Sequence, residues 1–332
     1  MTVLPVPARR RARRVTSRAV EGQELVLAGV IAVLWLVLGL VTSTFFTASN
    51  LQNILFTMSG VAIIGVGMTA VIVTAGIDVS VGSSFAVVAV IIGRAVRDAG
   101  LGPVPAVLGA LAVGAALGLV NGILVAYGRI HPIIVTFGTM NLFRFVAYQI
   151  FAGQQVDGVP PAFAFLGGGA PGRTLGVPNA FLLAAVLAAL AWFAMRYVPT
   201  GRHLYAIGGD AVAARLAGIR VSRRLLGVYA LTGLVVGLAA CVTIGGSGTV
   251  QQNFGTGLEL EVIAAVVIGG TSILGGRGTV LGTVLGALLV ATVTSAVTLL
   301  DWSSDLTQLF IGVFIVIAVG VDLVRERRRR NL

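Results

Sequence analysis

The chain has 332 residues, of which 57% are hydrophobic and 11% are charged, and its formal net charge is +11. A soluble protein carries about 25% charged residues, so this composition indicates a chain that crosses a membrane several times. All 23 basic residues are arginines, which excludes a Walker-type phosphate loop and a Schiff-base enzyme, since both need a lysine. Cys241, His131 and His203 lack the spacing of a disulfide or metal site. We therefore expect no catalytic residue, no metal and no cofactor.

Apolar stretches near the length that crosses a bilayer as a helix, about 20 residues, recur along the whole chain. Ten segments have this character, at 25–46, 54–75, 79–93, 104–127, 132–151, 179–198, 225–244, 258–275, 278–300 and 305–324. The third is short and the fourth is long. We predict an all-α, polytopic membrane protein with about ten transmembrane helices.

The arginines form three clusters: before the first apolar span, between the sixth and seventh, and after the last. The positive-inside rule places all three clusters, and therefore both termini, in the cytoplasm. We predict a basic cytoplasmic tail at 1–24, a transmembrane domain at 25–324 and a second basic tail at 325–332. Within the membrane domain, 199–224 is predicted as a cytoplasmic loop and 152–178 as a long external loop, which is either a binding surface or a mobile connection.

Glycines spaced by four residues follow one face of several predicted spans, where they allow helix backbones to approach closely. They lie in the fourth, seventh and ninth spans: Gly114, Gly118 and Gly122; Gly233 and Gly237; Gly278, Gly282 and Gly286. These stripes predict a tightly packed bundle and say nothing about cargo.

The segment GGDAVAARLAGIRVSRR (208–224) is unusually charged for this chain. Asp210 suits the N-cap of a short helix, Arg215 suits its last turn, and Gly218 suits the left-handed residue that ends it. A helix of about eight residues is marginal alone in water, so we expect tethers or a partner to hold it. It either docks into a groove of another protein or lies against lipid headgroups.

The sequence VAARLAGI within this segment resembles the EAAxxxG coupling motif of ATP-binding cassette importer permeases. Ala213, Ala214 and Gly218 match the motif, whereas Val212 occupies the position of its glutamate. In that family this helix seats in a cleft of the ATPase subunit. The resemblance implies that Asp210, Ala213, Ala214, Arg215 and Gly218 couple the chain to such a subunit.

Other segments resemble the ribose-type sugar permeases of this family: GIDVSVGS (76–83), NGILVAYGRIHPIIVTFGTMNLFR (121–144), GRHLYAIGGD (201–210) and GLELEVIAAVVIGGTSILGGRGTVLGT (257–283). The similarity covers about 45–325 and implies a non-catalytic permease subunit in the bacterial cytoplasmic (inner) membrane. Its implied partners are an ATPase subunit, an extracytoplasmic sugar-binding protein and a second permease, identical or not. The implied cargo is a ribose- or xylose-like pentose, a hexose or the sugar-like autoinducer-2, and nucleic acid is not a partner. The alternatives are a proton-coupled secondary transporter with Asp78 as relay, a branched-chain amino acid type permease and, more distantly, a membrane enzyme.

Charged residues within apolar spans usually have a partner or a function. Arg144 falls about 18 Å into the fifth span if that span begins at Pro132. The spacing of +4, +3 and +4 puts four residues on one face, which we predict to line the translocation path: Phe137, Asn141, Arg144 and Tyr148. Alternatively, the Arg144 side chain extends outward to the membrane surface or pairs with a carboxylate.

Asp78 precedes a short span, where it either caps a half-helix or contacts cargo or the ATPase side. Because of the possible contact with cargo, Asp78 is included among the candidate residues of the translocation path. Glu259 and Glu261 open the eighth span, where negative charge suits a helix N-terminus. These two glutamates are either caps exposed to water or contacts for a binding protein.

Overall fold

The computed structural model describes residues 15–167 and 169–330. In this part the helices are α1 (Val15–Val41), α2 (Ala48–Val73), α3 (Val81–Asp98), α4 (Pro103–Ala126), α5 (Pro132–Phe151), α6 (Ala164–Gly167), α7 (Asn179–Tyr197), α8 (Pro199–Gly209), α9 (Ala211–Leu216), α10 (Val221–Ser247), α11 (Leu258–Ile268), α12 (Val280–Leu299) and α13 (Asp305–Arg330). A two-residue hairpin, β1 (Arg173–Thr174) with β2 (Val177–Pro178), is the described sheet.

Seven of the described helices are long and apolar enough to cross a membrane, which confirms the all-α, polytopic prediction. They are α1 from Gly22, α2, α4, α5, α7, α10 and α12. The count of ten crossings and the side on which the termini lie stay predictions. Residues 1–14, most of the predicted N-terminal tail, lie outside the described residues, and 15–24 belong to α1.

Several predicted spans differ from the helices found: the first ends earlier, at Val41, the second begins earlier, at Ala48, and three others differ as follows. The eighth, expected at 258–275, ends at Ile268, because Gly269 and Gly270 follow and Gly270 has a φ of +95°. At 1.5 Å per residue this helix is about 16 Å long, too short to cross a bilayer alone. The third, α3, is longer than expected and ends in charged residues. The tenth continues as helix α13 through most of the segment predicted as a tail, while 331–332 lie outside the described residues.

Helix α2 is the centre of the bundle, and every residue from Val61 to Val73 is buried. It packs against α10, α12, α7 and α11, so it has no face left for lipid along this stretch. A helix that is apolar on all sides suits this central position, since apolar neighbours replace lipid around it.

The predicted glycine stripes of α4 and α10 face one another. A Cβ at Gly114 would collide with the carbonyl oxygen of Gly233, and one at Gly118 would collide with that of Tyr229. A Cβ at Gly237 would meet the carbonyl oxygen of Ala110. The absence of side chains therefore sets the separation of these two helices, as the spacing predicted.

The prediction of the third glycine stripe, at Gly278, Gly282 and Gly286, is correct only in part. Gly282 and Gly286 of α12 pack on the backbone of Gly269 and Ala265. Gly278, however, precedes α12 and has a φ of +157°, so it belongs to a turn rather than to a helix face. The predicted span began at Gly278, whereas Thr279 is the N-cap and the helix begins at Val280.

The segment 152–178 is more ordered than the predicted irregular loop. It contains a 3₁₀ turn (Pro161–Phe163), α6 and the β1–β2 hairpin. Val156 pairs with Val250 through backbone hydrogen bonds of 2.9 and 2.8 Å, and Phe163 is 1% exposed. The segment thus packs against the end of α10.

Candidate functional site

Helix α9 has a cap at each end, as the sequence predicted. The carboxylate of Asp210 accepts the backbone N–H groups of Val212 and Ala213 at 2.8 and 2.9 Å. At the other end the N–H of Ile219 reaches the carbonyl of Ala214 at 3.0 Å, beside a left-handed Gly218 with a φ of +85°. This arrangement is a Schellman motif, in which only glycine adopts the required backbone without strain. The two caps fix a helix of six residues that is too short to be stable alone.

Most of α9 is exposed. Ala214 is the buried residue, packed with Ile207 and Val221. Val212 and Leu216, one turn apart, are 67% and 85% exposed, and the predicted coupling residues other than Ala214 are exposed as well. The helix therefore presents an apolar face that no described part of the chain covers.

Helix α8 was missed in the sequence, where 199–209 was read as part of a loop. Pro199 stands in its first turn, and Gly201, Leu204 and Ile207 form its buried side. The helix runs directly into the cap residue Asp210, so α8 and α9 join without a flexible linker. The proline at the start and the apolar spacing were the available signals.

The base of α8 rests on the backbone of two other segments. A Cβ at Gly208 would collide with the carbonyl oxygen of Val73 and lie 2.5 Å from the nitrogen of Gly276. That nitrogen itself donates to the Val73 carbonyl at 2.8 Å. The hydroxyl of Tyr205 donates to the carbonyl of Gly278 at 3.0 Å, and burial raises the pKa of Tyr205, so the hydroxyl remains a donor. Sequence reasoning identified neither residue.

The predicted face of α5 is open. Phe137 is 58% exposed, Tyr148 is 43% exposed, and Asn141 is exposed with its amide bonded to the carbonyl of Phe137. Arg144 is half-buried, and its guanidinium donates to the carbonyls of Phe254 and Gly255 at 2.9 and 3.2 Å. The arginine thus reaches across to the segment before α11, with aromatic side chains on its own helix beside it.

Asp78 does not join that face. It is 3% exposed and accepts the backbone N–H and the hydroxyl of Ser80 at 3.0 and 2.6 Å. The amide of Asn121 donates to the Ser80 hydroxyl, and the hydroxyl of Thr139 donates to Asn121, both at 2.7 Å. This geometry places Asp78 at the start of α3 as a local backbone acceptor, although Ser80 is the N-cap residue. The chain of bonds ends on the inner side of α5.

Glu259 and Glu261 lie in the first turn of α11, as predicted, but neither is fully exposed. The Oε2 atom of Glu259 is buried and contacts Gly82 in the first turn of α3; no hydrogen-bond partner for it is found within the described part of the chain. The interpretation of the pair as caps in open water is therefore wrong. Only a glycine at position 82 leaves room for this carboxylate.

Comparison with known proteins places these features in a family. A family model described as "Branched-chain amino acid transport system / permease component" matches residues 50–319. The Ribose import permease protein RbsC of Escherichia coli (strain K12) is 39% identical over 295 residues, which cover 87% of this chain and 90% of that protein. The Fructose import permease protein FrcC of Rhizobium meliloti is 36% identical, covering 84% and 79%.

A more distant relative is the Galactose/methyl galactoside import permease protein MglC of Haemophilus influenzae, 30% identical with coverage of 90% and 94%. No solved structure matches the chain. The helices and the matches agree on a multi-pass membrane protein. The chain therefore belongs to the family described as "Branched-chain amino acid transport system / permease component", and the relatives named here to which it is similar are sugar import permeases.

Proposed function

We propose that this chain is the permease subunit of an ATP-binding cassette importer in the bacterial inner membrane. Its cargo is a monosaccharide, either a pentose of the ribose or xylose type or a hexose, or the sugar-like autoinducer-2. The names of the relatives, which are import permeases for ribose, fructose and galactose, support this class of cargo. The chain itself catalyses no reaction and needs no cofactor, because a separate subunit hydrolyses ATP.

The exposed face of α9 carries the proposal of an ATPase partner. Val212 and Leu216 are apolar side chains exposed to 67% and 85% on a helix whose two ends are capped. A preformed helix with uncovered apolar residues one turn apart suits a groove in a partner protein, since docking costs it little ordering. Arg215, exposed in its last turn, adds a charge at the rim of that contact.

The exposed face of α5 supports the proposed path for cargo. Aromatic rings at Phe137 and Tyr148 offer apolar faces, while Asn141 and Arg144 supply hydrogen-bond donors, which together suit a solute rich in hydroxyl groups. In the proposal, two permease subunits, identical or different, bring their α5 faces together around the path. Asp78 contributes by holding the start of α3 rather than by contacting cargo.

The orientation follows from the same proposal. The two basic ends, 1–24 and 325–332, and the α8–α9 segment within 199–224 lie in the cytoplasm, where the ATPase is. The ordered segment 152–178 lies on the outer side of the domain 25–324, where a sugar-binding protein delivers cargo.

The test is uptake by vesicles that contain this chain with its ATPase and binding protein, using labelled ribose, fructose and galactose. We expect uptake that requires ATP and is lost in Leu216→Asp, which introduces a charge on the exposed face of α9. The matched control is Ser304→Asp, which adds the same charge at an exposed residue in the turn before α13, outside both proposed docking surfaces. Uphill uptake that follows a pH gradient and continues without nucleotide would instead establish a secondary transporter.

A further inference from the structure

The α8–α9 unit has a rigid seat made of backbone atoms. Gly208 packs on the carbonyl of Val73, the last residue of α2, and on the nitrogen of Gly276 in the turn between α11 and α12. Gly275 and Gly276 in this turn have φ values of +84° and +72°, and Gly276 also contacts the backbone of Gly209. Backbone atoms in such contact have no rotamer to yield, so a displacement of α8 must move its neighbours.

Tyr205 provides a second attachment on the same helix. Its hydroxyl donates to the carbonyl of Gly278 at 3.0 Å, close to the N-terminus of α12. The segment from Gly269 to Thr279 is thereby fixed near its end, to α8 through Gly278 and to α2 through the bond from Gly276 to Val73. Both attachments, Gly208 and Tyr205, lie within five residues of Asp210, the cap residue of α9.

From Val73 the contacts continue into the segment between α2 and α3. Ala75, in a left-handed conformation with a φ of +62°, contacts Gly275, and the carbonyl of Ile77 accepts the hydroxyl of Thr136 on α5 at 3.0 Å. One residue further, Asp78 begins the chain of bonds that reaches Thr139, also on α5. The segment 74–80 therefore lies between the seat of α8 and the inner side of the helix whose outer side carries Arg144.

We propose that Gly208 is a positioning residue that transmits movement of α9 through the segment 74–80 to α5. The inference rests on the proposed function, because it assumes that an ATPase moves α9. Gly208 acts by having no side chain: it lets α8 transfer a displacement directly to the end of α2. Any larger residue separates the two backbones and breaks this connection, while the docking face of α9 remains intact.

The test compares two adjacent glycines of α8. Gly208→Ala places a methyl group against Val73 and Gly276, whereas a Cβ at Gly209 meets nothing within 4 Å. Both substitutions are made in the complex with the ATPase, with Cys241→Ala and a reporter Gln149→Cys, an exposed residue on α5. The readouts are ATP hydrolysis, copurification of the ATPase and the change in maleimide labelling of position 149 on addition of ATP and vanadate.

We expect Gly208→Ala to keep the ATPase bound and active but to reduce the ATP-dependent change in labelling by about fivefold or more, the lower range of allosteric coupling. Gly209→Ala should keep the full change. If the two variants respond alike, the role of Gly208 is refuted. If Gly208→Ala does not assemble, Tyr205→Phe decides, because it removes only one hydroxyl: a reduced change supports the transmission route, and an unchanged response refutes it.

Failure of the proposed function gives a different result. A parent complex that copurifies no ATPase, or that shows no ATP-dependent change with any reporter on α5, contradicts the importer itself. A parent complex that responds normally, together with a Gly208→Ala variant that also responds normally, contradicts only the role of Gly208.

Discussion

Arg144 donates a hydrogen bond from its guanidinium to the carbonyl oxygen of Phe254 at 2.9 Å, and so joins the middle of α5 to the segment between α10 and α11. A second bond, to Gly255, is 3.2 Å long. The planar guanidinium of an arginine can donate to two adjacent carbonyls at once. The compact ammonium of a lysine makes such a paired contact with poorer hydrogen-bond geometry. The residue therefore both orders that segment and keeps a positive charge beside the exposed face of α5.

We expect Arg144→Ala to reduce uptake by about tenfold, the effect of losing roughly 1.4 kcal/mol from charged hydrogen bonds. Arg144→Lys should recover part of the uptake. The measurement is the initial rate of ATP-dependent uptake at matched expression, with Arg129→Ala, an exposed arginine in the turn between α4 and α5, as the control. Uptake at the parental rate in Arg144→Ala would remove the arginine from the path.

The contact between α4 and α10 predicts a stability difference between two glycines of α10. Gly233→Ala adds a methyl group against the backbone of Gly114 and should destabilise the protein by about 1–3 kcal/mol, the cost of overpacking. Gly227→Ala meets nothing within 4 Å and should stabilise α10 by up to about 1 kcal/mol through helix propensity. Thermal unfolding in detergent measures both, and equal melting temperatures would contradict the packing described for these helices.

Two substitutions at Asp210, the cap residue of α9, distinguish the role of its charge from the role of its hydrogen bonds. Asp210→Ala removes the acceptor for two N–H groups and should cost α9 about 1 kcal/mol, whereas Asp210→Asn keeps a side-chain oxygen that caps nearly as well. Retention of the ATPase on the purified chain is the measurement. We expect weaker retention for the alanine variant and nearly parental retention for asparagine. Loss in both variants would mean that the charge itself contacts the partner.

Asp78 distinguishes an ATP-driven importer from a proton-coupled transporter. Asp78→Asn keeps an oxygen that accepts from Ser80 but cannot exchange a proton. In the proposed importer the variant should keep most of the ATP-dependent uptake, while Asp78→Leu, which leaves the N–H of Ser80 without this acceptor, should fold poorly. Complete loss of uptake in a well-folded Asp78→Asn protein would favour a proton relay.

Local signals in the sequence predicted local structure well. The cap at Asp210, the left-handed Gly218 and the bounds of α5 from Pro132 to Phe151 follow from short-range chemistry that the residue types specify. The spacing of glycines in α4 and α10 predicted close packing, although it could not name which helix faces which. Periodicity along one helix carries no information about its partner.

The sequence was less informative where distant segments meet. Nothing in the residues around Gly208 indicates that Val73 and Gly276 lie beneath it, since those contacts join three separate parts of the chain. The end of α11 at Ile268 was missed because the apolar run continues beyond the glycines that stop the helix. Asp78 was grouped with Arg144 as a polar residue in an apolar span, but only the fold shows that its acceptor atoms face Ser80.

The attachment of α1 has a consequence for the order in which the protein is assembled. This helix packs mainly against α12, and the indole N–H of Trp35 donates to the hydroxyl of Thr292, 257 positions later in the chain. During synthesis α1 is therefore made long before its partner α12, and it stays in the lipid without that contact until most of the chain has been synthesised. The helix is apolar on most of its surface, and Leu25 and Leu40 are still 74% and 80% exposed in the folded protein. Helix α1 can therefore remain in the lipid alone before it packs against α12.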